Sequence, residues 1–142
     1  MGLDMYLRGD KFIARIERDE DGNTFTVNRP VIDGFEVTSY NLDLGYWRKF
    51  APLHQYIVKV FADGVDECQP IELSADDCRR TADALRESGL PDNEDCHGFF
   101  FGSPEFWDDY MVEAEEHAQV FDSAAAWIES NSWNTVIYQA SW

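Results

Sequence analysis

The densest group of side chains that could do chemistry lies within positions 46–54. It combines two aromatic rings, two cations and a histidine: Tyr46, Trp47, Arg48, Lys49 and His54. Arginine can clamp a phosphate or carboxylate through paired hydrogen bonds, and an aromatic ring can stack on a nucleobase. Because the apolar spacing from about Trp47 onward is helical, we expect the group at a helix N-terminus, which also favours anions.

These residues predict a pocket for a small anionic ligand, with an aromatic wall whose candidates are Phe99, Phe100 and Trp142. The alternative is that the cations form surface ion pairs and the aromatic rings belong to the core. His54 falls on the apolar stripe of its helix, one turn after Phe50. A histidine in that position is more often a hydrogen-bonded core residue than a base.

A second interpretation is an enzyme that uses His54 with Asp66 or Cys68. Histidine would act as the general base and the thiol as the nucleophile of a hydrolase or a nucleotide-modifying enzyme. The spacing of these residues matches no known motif. The chain also lacks the phosphate-binding loops, the serine nucleophile elbow and the paired histidines of common enzyme classes. We therefore expect a non-catalytic protein with no cofactor and no metal site.

A third candidate is an acidic face on the helix predicted after Pro104, formed by Asp108, Asp109, Glu113 and Glu116. Such a face could capture a basic protein, as a nucleic-acid mimic does. The alternatives are a solvated surface and a site for Mg²⁺ or Mn²⁺.

The charge of the whole chain limits its partners. The 142 residues carry 28 acidic and 11 basic side chains, a net charge of −17. Residues 87–142 contain 12 acidic side chains and no basic one. This balance argues against direct binding of nucleic acid, and the absence of a long apolar run argues against a membrane partner. The aromatic content of 15% leaves an oligomer open.

Three cysteines, Cys68, Cys78 and Cys96, cannot all pair within one chain, and the first residues do not resemble a secretory signal. We therefore expect reduced thiols and a cytoplasmic location.

The elements that must position these residues form a single α+β domain over residues 1–142. We expect a small antiparallel sheet of about five to six strands, packed by two to three helices. The predicted strands lie near residues 3–7, 12–16, 24–27, 35–40, 98–102 and 133–141, and the short segment 71–73 is a further candidate. The predicted helices run from about Trp47 to Asp63, from a capping box at Ser74 to Ser88, and as one long helix after Pro104.

Several motifs together resemble a widespread family of small bacteriophage proteins. They cover essentially the full length of the chain: Gly2–Leu7, Gly45–Lys49 with His54, Gly64–Asp66 with Cys68, Gly98–Ser103, Asp108–Tyr110 and Tyr138–Trp142. Most members of that family lack an assigned activity, so the resemblance implies a phage origin more than a mechanism.

Taken with these residues, the resemblance implies a phage accessory protein that counters a host defence by binding one of its components in the host cytoplasm. A small anionic signalling nucleotide is the preferred ligand, and a basic host protein held by the acidic face is the alternative. The hydrolase or nucleotide-modifying enzyme is the third hypothesis.

Overall fold

The computed structural model describes residues 2–91 and 104–142 and confirms the α+β class. Its main sheet has four antiparallel strands in the order β6-β1-β8-β7, and two further sheets, β2-β3 and β4-β5, have two strands each. The strands are β1 Asp4–Phe12, β2 Ile16–Arg18, β3 Thr24–Thr26, β4 Val31–Ile32, β5 Phe35–Glu36, β6 Ser39–Arg48, β7 Ile71–Leu73 and β8 Asn134–Ser141. The helices are α1 Ala51–Phe61, α2 Ala75–Arg86, α3 Pro104–Val112 and α4 Ala114–Ser130.

Strand β1 lies at the centre of the main sheet and shows the alternation that its sequence predicts. Met5 and Leu7 are fully buried, whereas Tyr6 and Arg8 point to the opposite face. The strand pairs with both β6 and β8, so that Asp4 lies between Arg48 and Ser141. The pairing with β6 shifts by one residue between Leu7 and Arg8, which makes Leu44 the extra residue of a β-bulge.

The structure corrects the predicted start of the first helix. Trp47 and Arg48 belong to β6, and α1 begins only at Ala51, after Lys49 has turned the chain with a positive φ of 58°. Ladder pairing with β1 holds residues 46–48 extended, although the apolar spacing there also fits a helix. Pro52 does lie in the first turn of α1, as predicted.

The helix α2 follows its sequence signals closely. The Ser74 hydroxyl accepts a hydrogen bond from the Asp77 N–H, and the Asp77 carboxylate accepts one from the Ser74 N–H. This reciprocal pair is the predicted capping box, and it satisfies two backbone donors that a helix N-terminus otherwise leaves open.

The prediction of one long helix after Pro104 is wrong, because the structure has two helices there, α3 and α4, which meet at Glu113. The Glu113 N–H bonds to the Tyr110 carbonyl three residues back, a tight turn that closes α3. The predicted strand over residues 12–16 is also divided. There β1 ends at Phe12, Ile13 and Ala14 donate to the Thr38 carbonyl, and β2 begins at Ile16. The predicted strand at 98–102 lies outside the described residues.

The core lies between the helices and one face of the main sheet. Its largest fully buried side chains include Leu3, Phe50, Leu53, Phe121 and Tyr138. The helices thus cover only the face that carries Met5 and Leu7, and the side chains of the opposite face remain accessible among the described residues. Within residues 2–91 and 104–142, no helix is both long and apolar enough to span a bilayer.

Candidate functional site

The accessible face of the main sheet brings together side chains from three strands. Tyr6 and Arg8 come from β1, Tyr46 and Arg48 from β6, and Gln139 from β8. In the ladder register, Tyr6 lies between Tyr46 on one side and Gln139 on the other. We refer to these five residues as the open-face site.

Two tyrosine rings form the centre of the open-face site. The ring centroids of Tyr6 and Tyr46 are 5.3 Å apart at an interplanar angle of 48°. The Tyr46 hydroxyl donates to a carboxylate oxygen of Asp4 at 2.5 Å, and this hydrogen bond, assisted by burial, raises the pKa of the phenol. The ring of Tyr46 is 50% exposed, so it offers a neutral aromatic surface with a fixed orientation.

Each tyrosine has an arginine two residues further along its strand, Arg8 on β1 and Arg48 on β6. Arg8 stacks over the Tyr6 ring with its guanidinium carbon 4.8 Å from the ring centroid. Arg48 is fixed through its backbone, since its N–H donates to the Tyr110 hydroxyl at 3.1 Å and its carbonyl accepts from that hydroxyl at 2.9 Å.

Neither arginine of the open-face site forms an ion pair with a carboxylate within the described part of the chain. Asp43 opposes Arg8 in the register without pairing with it. By contrast, four other arginines each pair with a carboxylate: Arg15, Arg29, Arg79 and Arg86. The face therefore holds two guanidinium groups that form no ion pair within the described residues, and the carboxylates of Asp4 and Asp43 lie opposite them in the register.

Shallow cavities lie on both sides of Tyr6 and Arg8. One, of about 310 Å³, is completed by residues 41–43, and the other, of about 350 Å³, by Cys68 and residues 139–141. The Gln139 amide nitrogen donates to the Cys68 carbonyl at 2.9 Å, which fixes the side chain and leaves its amide oxygen as an acceptor. Both cavities have a size suited to part of a small molecule.

Trp47 is not available as the stacking surface that the sequence suggests. The side chain is 2% exposed, its ring stacks on Phe121 at a centroid distance of 5.4 Å, and its N–H donates to His117 Nδ1 at 3.0 Å. Alternation along β6 explains the difference, because Trp47 points toward α4 while Tyr46 and Arg48 point to the open face. The predicted pocket is therefore divided between the two faces of the sheet.

Another predicted ligand residue, Lys49, lies in the turn after β6, half-buried, where its N–H donates to the Leu3 carbonyl at 2.7 Å. Phe99 and Phe100 lie outside the described residues.

His54 is buried and belongs to a hydrogen-bond chain rather than to the open face. Its Nδ1 lies 2.6 Å from the Tyr138 hydroxyl, and its Nε2 lies 2.9 Å from an Asp66 carboxylate oxygen. The other oxygen of Asp66 accepts from the Trp142 indole at 3.2 Å. Burial raises the pKa of the Tyr138 phenol well above its ordinary value, so this hydroxyl keeps its proton and can donate to Nδ1. Nε2–H then donates to Asp66.

The hydrogen bonds of His54 to Tyr138 and to Asp66 join α1, the segment that follows it and β8. The predicted association of His54 with Asp66 is present, but His54 is only 1% exposed and Tyr138 is fully buried. Among the described hydrogen bonds of His54 none involves Cys68, whose carbonyl lines the second open-face cavity. The arrangement ties β8 to α1, and its solvent-accessible parts are Asp66 and Trp142, which is 43% exposed at the Asp66 end and bonds it through the indole.

The acidic residues of the third prediction are all exposed: Asp108, Asp109, Glu113 and Glu116. They are distributed over α3, the junction and α4 rather than along one helix. In the part of the chain that the structure describes, no three metal-ligating side chains form a group that could hold an ion. Burial raises the pKa of the Cys78 thiol to about 12, which makes that cysteine unreactive.

The sequence reasoning missed Tyr6, Arg8 and Gln139. The signal for the first two was present in the alternation of β1, which places them on one face and the apolar residues Met5 and Leu7 on the other. Comparisons of the chain with models of protein families, with curated proteins and with solved structures found nothing that matches it.

Proposed function

We propose that the protein binds, without turnover, a small anionic ligand that carries a planar ring, of the nucleotide class, on the open-face site. The observation that carries this proposal is the tyrosine pair between Arg8 and Arg48, neither of which has a carboxylate ion-pair partner among the described residues. The chain as a whole carries −17, so a small anion would be held by short-range, charge-assisted hydrogen bonds to these two guanidinium groups and not by the long-range field.

The dimensions of the face support a nucleotide. Arg8 and the position opposite Arg48 are separated by four residues of β1, roughly 13 Å at about 3.3 Å per residue. A base stacked near Tyr46 contributes about 1–3 kcal/mol, and phosphates on either side of it can reach the guanidinium groups. Polynucleotides are disfavoured, since a long strand would meet the many carboxylates of the surrounding surface.

The biological setting of this proposal follows from the resemblance to small phage proteins. The protein acts in the cytoplasm of the infected host, where it counters a defence by sequestering a signalling nucleotide. This function requires binding at about one ligand per site and no catalysis.

The test is isothermal titration calorimetry with AMP, ATP, cyclic di-AMP and cyclic di-GMP as probes, each titrated into the wild-type chain. At least one probe is expected to bind with a saturable stoichiometry. Arg8→Ala and Arg48→Ala should each weaken that probe about tenfold or more, because each removes a charge-assisted contact. Arg18→Ala is the matched control, since Arg18 is an exposed arginine of β2 away from the main sheet. The proposal is refuted if no probe binds, or if Arg18→Ala weakens the affinity as much as Arg8→Ala and Arg48→Ala do.

The competing function is capture of a basic host protein through Asp108, Asp109, Glu113 and Glu116. Its support is that these carboxylates are exposed and that, among the described residues, none pairs with Lys or Arg. The two functions differ in the residues they need. Neutralising the four carboxylates should abolish capture and leave nucleotide binding intact, whereas Arg8→Ala and Arg48→Ala should weaken only the nucleotide.

The enzymatic hypothesis retains one observation, the contact of His54 with Asp66 at 2.9 Å. Turnover of a molar excess of any nucleotide probe, lost in His54→Ala, would establish it in place of sequestration. We expect instead that the probe is recovered unchanged after binding.

A further inference from the structure

The cavity beside Cys68 contains a side-chain amide whose orientation is determined by its partner. The amide nitrogen of Gln139 donates to the Cys68 carbonyl at 2.9 Å. A carbonyl oxygen can only accept, so the nitrogen of the amide must face Cys68 and the amide oxygen points away from it. Among the described residues no hydrogen bond uses that oxygen. The cavity, of about 350 Å³, therefore has a hydrogen-bond acceptor in its wall.

The segment after α1 holds the Cys68 carbonyl in place. The side chain of Gln69 closes this segment, because it accepts from the Glu67 N–H at 2.8 Å and donates to the Val65 carbonyl at 2.7 Å. The amide of Gln139 is thus oriented before any ligand arrives. Such preorganisation lowers the entropic cost of using the amide oxygen as an acceptor.

Hydrogen-bond donors lie next to this acceptor. Tyr6 pairs with Gln139 in the sheet register, and the Arg8 guanidinium carbon lies 4.8 Å from the centroid of the Tyr6 ring. Arg8 and Gln139 line the same cavity, so N–H groups of arginine stand beside the amide oxygen of glutamine. The hydroxyl of Ser141 also lines the cavity, but it can donate or accept and therefore discriminates little between ligands.

We propose that this cavity selects the base of the bound nucleotide and that the base is adenine. On the edge that carries N7, adenine presents a ring-nitrogen acceptor beside an amino donor, whereas guanine presents two acceptors. The amino group of adenine donates to the Gln139 oxygen, and N7 accepts from Arg8, which keeps further N–H groups for a phosphate. The carbonyl oxygen of guanine would face the Gln139 oxygen, and two acceptors in contact are unfavourable. This inference rests on the proposed nucleotide binding and adds the identity of the base.

The test compares two nucleotides that differ at one position of the base. AMP carries the amino group, and the monophosphate of purine riboside has a hydrogen atom in its place. Isothermal titration calorimetry of wild type should show that AMP binds about five- to tenfold more tightly, because one hydrogen bond distinguishes the two. Cyclic di-AMP should likewise bind more tightly than cyclic di-GMP.

One variant tests the amide itself. Gln139→Met removes the amide and keeps a side chain of similar length, so it should abolish the preference for AMP over its analogue. This preference is a ratio measured within one protein, and a general loss of affinity or a partly unfolded fraction leaves it unchanged. Gln119→Met is the matched control, because Gln119 is an exposed glutamine of α4, on the helix side of the sheet.

The outcomes separate this inference from the function on which it rests. Equal affinities of wild type for AMP and its analogue would overturn the inference and leave nucleotide binding in place. A preference for cyclic di-GMP would do the same, and so would a preference for AMP that persists in Gln139→Met or disappears equally in Gln119→Met. If no nucleotide binds to wild type, the proposed function and this inference fail together.

Discussion

The indole N–H of Trp47 determines which nitrogen of His117 can carry a proton. It donates to His117 Nδ1 at 3.0 Å, and an indole nitrogen can only donate, so Nδ1 must be unprotonated. Burial lowers the pKa of His117, although the carboxylates of Glu113 and Glu116 act in the opposite direction. A doubly protonated ring would direct one N–H against another inside the core.

This geometry gives the free energy of unfolding a dependence on pH. In the unfolded chain His117 takes up a proton near its ordinary pKa of 6.5, whereas the folded protein resists it to lower pH. The unfolded state then binds more protons, so this contribution to stability is present above pH 6.5 and falls as the pH drops below it. We expect wild-type stability, measured by urea unfolding, to decrease more from about pH 7.5 to about pH 5.5 than that of His117→Gln.

Glutamine keeps an acceptor for Trp47 and cannot titrate, so it isolates the histidine from the many carboxylates. If both proteins respond identically to pH, the histidine is not the source of the dependence.

Two tyrosines allow a paired test of buried and exposed hydroxyls. Tyr138→Phe removes the partner of His54 Nδ1 in a fully buried place, and a buried polar atom left unpaired costs about 1–3 kcal/mol. Tyr46→Phe removes the hydrogen bond to Asp4 at an exposed position, where solvent replaces it at a cost of about 0.5 kcal/mol or less. Urea denaturation of both variants measures the difference. If both variants lose the same small free energy of unfolding, the hydrogen bonds of His54 do not stabilise the fold.

At the scale of elements, strand–helix packing depends on the small residue at position 45. A Cβ at Gly45 would lie 2.8 Å from the Trp47 ring and 3.1 Å from Val120, and stacking on Phe121 holds the Trp47 ring in place. Gly45→Ala should therefore destabilise by about 1–3 kcal/mol. Gly89→Ala is the matched control, since a Cβ there meets its nearest atom at 3.4 Å, an ordinary contact. Equal decreases in melting temperature for the two variants would contradict the close packing of β6 against α4.

Elements with local signals were predictable from the sequence, and elements decided by tertiary pairing were not. The capping box at Ser74 and the strand β8 need only neighbouring residues, and both are present. The segment around Trp47 fits a helix and a strand equally, and only its pairing with distant β1 decides between them. Because that decision sets which way each side chain points, the predicted pocket was divided and Tyr6 and Arg8 were missed.

The charge of the whole molecule sets its response to salt. The chain has a net charge of −17, and its excess acidic side chains repel one another within one folded domain. No basic side chain follows Arg86 in the sequence. Salt screens this repulsion over a Debye length of about 10 Å at about 0.1 M, so the melting temperature should rise from low to moderate NaCl concentration.

Neutralising the exposed acidic residues should reproduce the effect of salt. A variant with Asp108→Asn, Asp109→Asn, Glu113→Gln and Glu116→Gln changes the net charge from −17 to −13 while removing no ion pair to Lys or Arg among the described residues. We expect it to melt higher than wild type at low salt and to gain less from added NaCl, because part of the repulsion is already gone. Differential scanning calorimetry over a salt series measures both quantities. A lower melting temperature for the variant at every salt concentration would show instead that these carboxylates stabilise α3 and α4 locally, and that self-repulsion is not what limits the fold.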